Sequence, residues 1–369
     1  MEPSAPSPQA PTRAAPLPVW VAFFEHLELP VLRHTARDML ALAADIDRVD
    51  ARSIADTVLQ DPLMTLKVFA WSARMRRSRQ VTDLETIEPV ILMSGITAFF
   101  REFAELPTVE QQLAGQPRAL AGLLRVVNRA FRSSHFARDW ALRRRDLDTE
   151  VILIGAMLHD FAELLMWLYA PSLALEVDTR QAADATLRSH DVQQAVFGVA
   201  LGDLEAELVR RWHLPELLVS VMDDRHADHA RVRNVKYAVN LARHSAKRWD
   251  NAALGDDFRD IASLLNISPA HVVELVVPPE HQHLHLPPAL PPEALLASGE
   301  EAPDDARGAS GLDVFQAVPP LSARLAQAVS SLAASPLGLP PLSAPVPTSQ
   351  TGDVTGILRF DLSAPLPRH

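Results

Sequence analysis

The pair of residues best placed to do chemistry in this 369-residue chain is His159-Asp160. It lies inside the apolar run that extends from Val151 to Trp167. An imidazole beside a carboxylate in such surroundings is costly unless its polar atoms are satisfied. A bound metal ion would satisfy them and would point to a hydrolase. A buried hydrogen-bond network would satisfy them equally and would point to a protein-binding scaffold.

Other polar groups have weaker patterns. His226 and His229 have the i,i+3 spacing of ligands on one helix face, with Asp223, Asp224 and Asp228 close by. A polar loop beside a helix end accounts for the same residues without a metal. His281, His283 and His285 alternate in a proline-rich segment that offers no scaffold to preorganise a site. Two arginine clusters, Arg74, Arg76, Arg77 and Arg79, and Arg143, Arg144 and Arg145, have the chemistry to receive phosphates, as on a nucleotide ligand, or an acidic partner surface. Solvated helix ends carry such runs too. The chain has neither a Gly-x-x-x-x-Gly-Lys-Ser/Thr phosphate loop nor a Gly-x-Ser-x-Gly elbow, so nothing supports a nucleoside triphosphatase or a serine hydrolase.

Composition narrows the classes further. The net charge is −11, against the basic excess usual in general nucleic-acid binders. Residues 261–276 have the apolar spacing of a helix-turn-helix core. The segment that would read bases, Pro269 to Leu275, holds no Arg, Lys, Asn or Gln. DNA binding is therefore a minor expectation, and a closing helix pair explains the residues better. There is no cysteine, which removes disulfides, thiolate metal sites and a cysteine nucleophile and suits a reducing cytoplasm. The first 18 residues show no apolar signal-peptide core. The stretch 151–170 approaches membrane-span length, but His159, Asp160 and Glu163 near its middle make it a buried core helix. No membrane span and a cytoplasmic location are expected.

Proline marks the elements that must position these groups. Residues 1–18 hold 6 of the 30 prolines and residues 278–369 hold 16, leaving 8 for the 259 residues between. Both ends are expected to be flexible, with a possible short helix at 321–332 and a strand-like segment at 356–362. The middle, 19–277, is poor in Gly and aromatics and rich in Ala, Leu and Arg, which favours helix throughout. Asp61-Pro62 and Ser268-Pro269 are helix starts, with a capping side chain followed by proline at the first helical position.

Several segments resemble one known family. Leu29-Pro30-Val31-Leu32 resembles its opening Leu-Pro segment, and Asp61-Pro62-Leu63-Met64-Thr65 its Asp-Pro-x-Leu-Thr helix start. Ala70-Trp71-Ser72 stands where the family usually has Ala-Asn-Ser, and residues 86–95 resemble its Ala-Ile-x-x-Leu-Gly helix end. Gly155-Ala156-Met157-Leu158-His159-Asp160 resembles Gly-Leu-Leu-His-Asp, and residues 212–218 resemble Trp-x-Leu-Pro-x-x-Leu. His190-Asp191 and His226/His229 stand near its later histidines. In this order and spacing, residues from about 27 to 277 resemble an HDOD domain, the HD-related output domain of bacterial signalling proteins.

The resemblance implies an all-α fold: an N-terminal helical subdomain, about 19–115, packed on a degenerate HD-like helical bundle, about 116–277. It implies a non-enzymatic regulatory role with a signalling protein as partner, and a link to cyclic dinucleotides. The alternative it raises is a divergent metal-dependent phosphohydrolase. There His135, His159 and Asp160 would hold a divalent ion such as Mn, Mg or Fe that activates water. Against that alternative, Asn240 stands where active enzymes have their last Asp. Phe161-Ala162-Glu163 also replaces the Ile-Gly-Lys that often follows the pair. The expectation is therefore no cofactor, and an HD pair kept for structure.

Overall fold

The computed structural model describes residues 10–79, 84–184 and 186–285, with the side chains of 76–79 left aside. The segments expected at 321–332 and 356–362 lie outside the described residues. These form two compact units, one running to Arg243 and one from His244 to residue 285. Both are all-α. Among the described residues the only β feature is an isolated parallel bridge between Val31 and Thr108.

The first half of the larger unit contains α1 (Leu17–Glu25), α2 (Arg33–Ala44), α3 (Ala51–Val58), α4 (Pro62–Arg79), α5 (Ile87–Ser94), α6 (Ile96–Glu102) and α7 (Val109–Gln112). α3 packs on α5 and α2, and α4 on α5. Asp61 organises this half as its sequence position suggests. Its Oδ1 accepts the Leu63 and Met64 N–H groups at 2.8 and 3.2 Å, capping α4. Its Oδ2 accepts the Leu32 N–H at 2.7 Å, so one buried carboxylate ties the start of α2 to the start of α4. Trp71, the departure from the family's Asn, is buried against Phe99 and Phe103 with ring centroids 5.9 and 5.3 Å away. Its bulk extends an aromatic core.

The second half contains α8 (Pro117–Arg143), α9 (Thr149–Leu158), α10 (Phe161–Tyr169), α11 (Pro171–Ala183), α12 (Ser189–Phe197), α13 (Leu201–Arg211), α14 (Glu216–Met222) and α15 (Ala230–His244). The long α8 runs along α9 and α10. Residues Val151 to Leu158 are buried all round, as a helix at the centre of a bundle must be. Gly122 lets α8 meet the Trp167 ring; a Cβ there would lie 2.4 Å from it. Ser133 Oγ donates to Ala156 O at 2.8 Å, stitching α8 to α9.

Two expectations need correction. The stretch 151–170 is not one helix: Asp160, at φ −115° and ψ 27°, breaks it into α9 and α10. By length and composition Thr149–Tyr169 could cross a membrane, yet 83% of its most apolar window is buried within the protein. α1 packs against α13 of the second half, and residues 10–18, expected to be flexible, are described and include the start of α1.

The smaller unit holds α16 (Leu254–Leu265), α17 (Pro269–Val276) and α18 (Pro279–Gln282). Ser268 Oγ caps α17 by accepting the His271 N–H at 3.1 Å. α17 exposes Pro269, Ala270, His271 and Glu274, a face with no Arg or Lys for DNA. His285 stands edge-on to the Phe258 ring, 5.0 Å between centroids.

Candidate functional site: an ion network at the HD pair

The break between α9 and α10 puts His159 and Asp160 at the N-terminus of α10. The free N–H groups there favour negative charge. Phe161 N–H is satisfied by Glu205 Oε1 of α13 at 3.1 Å. The Phe161 ring lies on Trp212, 5.7 Å between centroids, so the Trp-x-Leu-Pro element buttresses the HD pair.

Both oxygens of Asp160 are held by cations. Oδ2 accepts from Arg129 Nε and Nη2 at 3.2 and 3.1 Å. Oδ1 accepts from Arg243 Nη2 at 2.8 Å and lies 3.2 Å from His159 Nδ1. Arg129 also donates to Glu163 Oε2 at 2.5 Å. The other ring nitrogen, His159 Nε2, is 3.4 Å from Asp224 Oδ1, in the short 3-10 helix Asp224–His226 that precedes α15.

The electrostatics follow from this geometry. Burial alone would lower the His159 pKa, but the hydrogen bonds to Asp160 and Asp224 and the charges of Asp160 and Glu205 raise it to about 10. Burial would raise Asp160; Arg243, Arg129 and His159 overcome it and hold the carboxyl well below the ordinary range. Glu205 is pushed well above its usual value by burial and by Asp160. Arg129 would be penalised by burial, but Glu163 and Asp160 keep it charged.

A metal does not fit this arrangement. Ligation needs neutral imidazoles and free carboxylate lone pairs. Both His159 ring nitrogens face carboxylates, Asp160 and Asp224, and guanidinium groups occupy the Asp160 oxygens. Among the described residues no three His, Asp or Glu side chains gather as a metal site. His135 is buried on α8, where burial and Arg138 push its pKa down to about 4. It stands six residues beyond Arg129, roughly 240° around the helix at 100° per residue. Asn240 does not bond the pair among the described residues; Arg243, almost one turn later, does.

The remaining candidates are dispersed. His226 and His229 are exposed, each beside its own carboxylate, Asp223 at 3.3 Å and Asp228 at 3.8 Å. His190 is exposed on α12. Arg74 is exposed and 3.6 Å from Glu102, while the side chains of Arg76 and Arg77 lie outside the described residues. Arg143 pairs with Asp139 at 3.0 Å. Arg144 is largely buried and donates to Ala230 O at 3.0 Å, fastening the end of α8 to α15. Arg145, at φ +58°, turns the chain out of α8. Of the two clusters, Arg74, Arg143 and Arg145 thus face solvent, and Arg144 is part of the framework.

The sequence reading missed Arg129, Arg243, Glu205 and the pairing of Glu163. Arg129 left one trace, a charged residue between the buried Val126 and Ala130 of α8.

An all-helical bundle with a His-Asp pair at a helix break defines the HD-like class of helical proteins. The HDOD domain family model matches residues 29–228, more than half of the chain, and the chain belongs to that family. Among solved structures, the MmoQ response regulator from Methylococcus capsulatus shares the fold at TM-score 0.53 and 16% identity, over 68% of this chain and 98% of that one. A virulence factor from Campylobacter jejuni aligns at TM-score 0.49 and 15% identity, over 66% and 87% of the two chains. An HDOD domain protein from Geobacter sulfurreducens aligns at TM-score 0.37 and 17% identity, over 67% and 88%. No curated protein matches the chain.

Proposed function

We propose that this chain is a non-enzymatic regulatory module of bacterial signalling that acts in the cytoplasm through contact with a partner protein. The observation that carries the reading is the occupation of both Asp160 oxygens by Arg129 and Arg243. An HD pair used for hydrolysis must leave its carboxylate to a metal and its imidazole unprotonated. Here the pair is spent on joining α8, α10 and α15. Such a network fixes one packing of the helices, which suits a domain whose surface must be recognised. The exposed Arg74, Arg143 and Arg145 supply positive charge for an acidic partner surface or a nucleotide phosphate.

The test is metal content by mass spectrometry on the purified chain, with assays of phosphodiester and nucleotide hydrolysis. The expected result is no stoichiometric Mn, Fe or Mg and no turnover. Stoichiometric metal together with turnover that disappears in His159→Ala would establish the phosphohydrolase instead.

A further inference from the structure

Residues 10–28 precede the span matched by the family and fold as a strap across the HD-like half. Trp20 and Phe24, one helical turn apart on α1, are fully buried and stack at 5.7 Å. Trp20 Nε1 donates to Phe197 O at 2.9 Å, and the Phe24 ring stands 6.0 Å from Tyr169. The strap enters through a close backbone crossing. Ala14 N–H donates to Val196 O at 3.0 Å, and a Cβ on Gly198 would sit 2.4 Å from the Ala14 carbonyl carbon. Ala14 adopts φ +56°, a left-handed conformation that alanine disfavours, so the crossing is made under strain. Further ties are the Tyr169 hydroxyl, which donates to Glu28 O at 2.6 Å, the Phe23 ring 6.0 Å from Tyr169, and the ion pairs Arg13–Glu176, Arg211–Glu25 and Lys67–Glu28. α13, against which α1 packs, also carries Glu205 into the HD network.

We propose that the surface formed by α13, Phe197 and Tyr169 is a docking groove for an amphipathic protein helix with aromatic anchors one turn apart, and that α1 is its built-in, displaceable occupant. The groove's chemistry is read from what fills it. It takes an indole that donates to a main-chain carbonyl and a second ring one turn on, which is the helix-in-groove mode of peptide recognition. A partner helix of this kind competes with α1, and α13 carries the exchange to Glu205 at the HD pair. The partner's part rests on the protein-interaction reading above, whereas the occupancy by α1 does not.

The test uses the full chain and a fluorescein-labelled peptide of residues 10–28. Fluorescence anisotropy should show the peptide binding the Trp20→Ala/Phe24→Ala variant, with wild type at least tenfold weaker. Gly198→Val added to the variant should abolish binding, because its side chain meets the peptide backbone. Equal binding to wild type, or none to a variant that keeps its helical circular dichroism, overturns the proposal. Hydrogen exchange on the wild-type chain decides the matter if the variant fails to fold. Amides of Val21 and Phe24 should exchange through a local opening, well before those of α9. Exchange of both only in global unfolding overturns displacement. Absence of peptide binding would leave capture of a partner on another face untouched, and hydrolytic turnover would leave peptide binding untouched.

Discussion

Arg129 is the residue on which the HD pair depends. It is largely buried and gives hydrogen bonds to two carboxylates, the largely buried Asp160 and the part-exposed Glu163. Removing one partner of a buried ion pair costs about 3–5 kcal/mol, because the opposite charge is left stranded. Arg129→Ala should therefore lower the denaturant midpoint by an amount of that order, and Arg129→Lys, which has no fork to span both carboxylates, should recover only part of it. Urea unfolding of the three proteins checks this. The pair also sets a pH dependence. The folded pKa of His159 is raised from 6.5 to about 10, so the native state binds the proton more tightly than the unfolded chain. The stability it contributes is fully present below about pH 6.5 and is lost as pH climbs towards 10. Asp160, lowered from 3.8, contributes in the opposite sense: its share is present above about pH 3.8 and is lost as pH falls further. Unfolding midpoints measured from pH 6 to 10 should fall for wild type and fall less steeply for His159→Gln. Parallel slopes would show that the imidazole is not held protonated.

At the scale of elements, Asp61 and Gly122 show what a single position can do for helix placement. Asp61 accepts three buried backbone N–H groups from two segments, and charged hydrogen bonds of this kind are worth about 1.5–3 kcal/mol each. Asp61→Ala should lose at least about 3 kcal/mol, whereas Asp61→Asn, which retains an acceptor, should lose less. Gly122→Ala inserts a methyl group into the Trp167 ring and should cost about 1–3 kcal/mol or more, since a buried indole has little room to retreat. Thermal melts of these variants measure both. The cap at Asp61 was legible in the sequence because Asp-Pro is a local signal, written in adjacent residues. The break at Asp160 was not. The apolar run continues through it with no Gly or Pro between Ala156 and Tyr169, and the helix stops because distant groups, Glu205, Arg129 and Arg243, satisfy the polar atoms the break exposes. The same reason hid the network from the sequence. The ordered motifs identified the family and its all-helical fold, since motif spacing reports on topology, but Arg129 and Arg243 lie 31 and 83 residues from Asp160 and share no pattern with it.

For the whole molecule, the family-matched span of residues 29–228 and the physically self-supporting unit are different lines. Arg243, which closes the HD network on Asp160 Oδ1, stands 15 residues beyond the end of that span. α1, which buries Trp20, stands before its start. A fragment trimmed to residues 29–228 would leave a carboxylate without one of its cations and an apolar groove open to water. It should melt at a lower temperature than a 10–285 fragment and associate more readily at high concentration, which calorimetry and light scattering would record. The unit that buries Trp20 and closes the HD network therefore extends past both ends of the matched span. At those two flanks, α1 and the far end of α15, the stability of this chain rests on residues that lie outside the family-matched span.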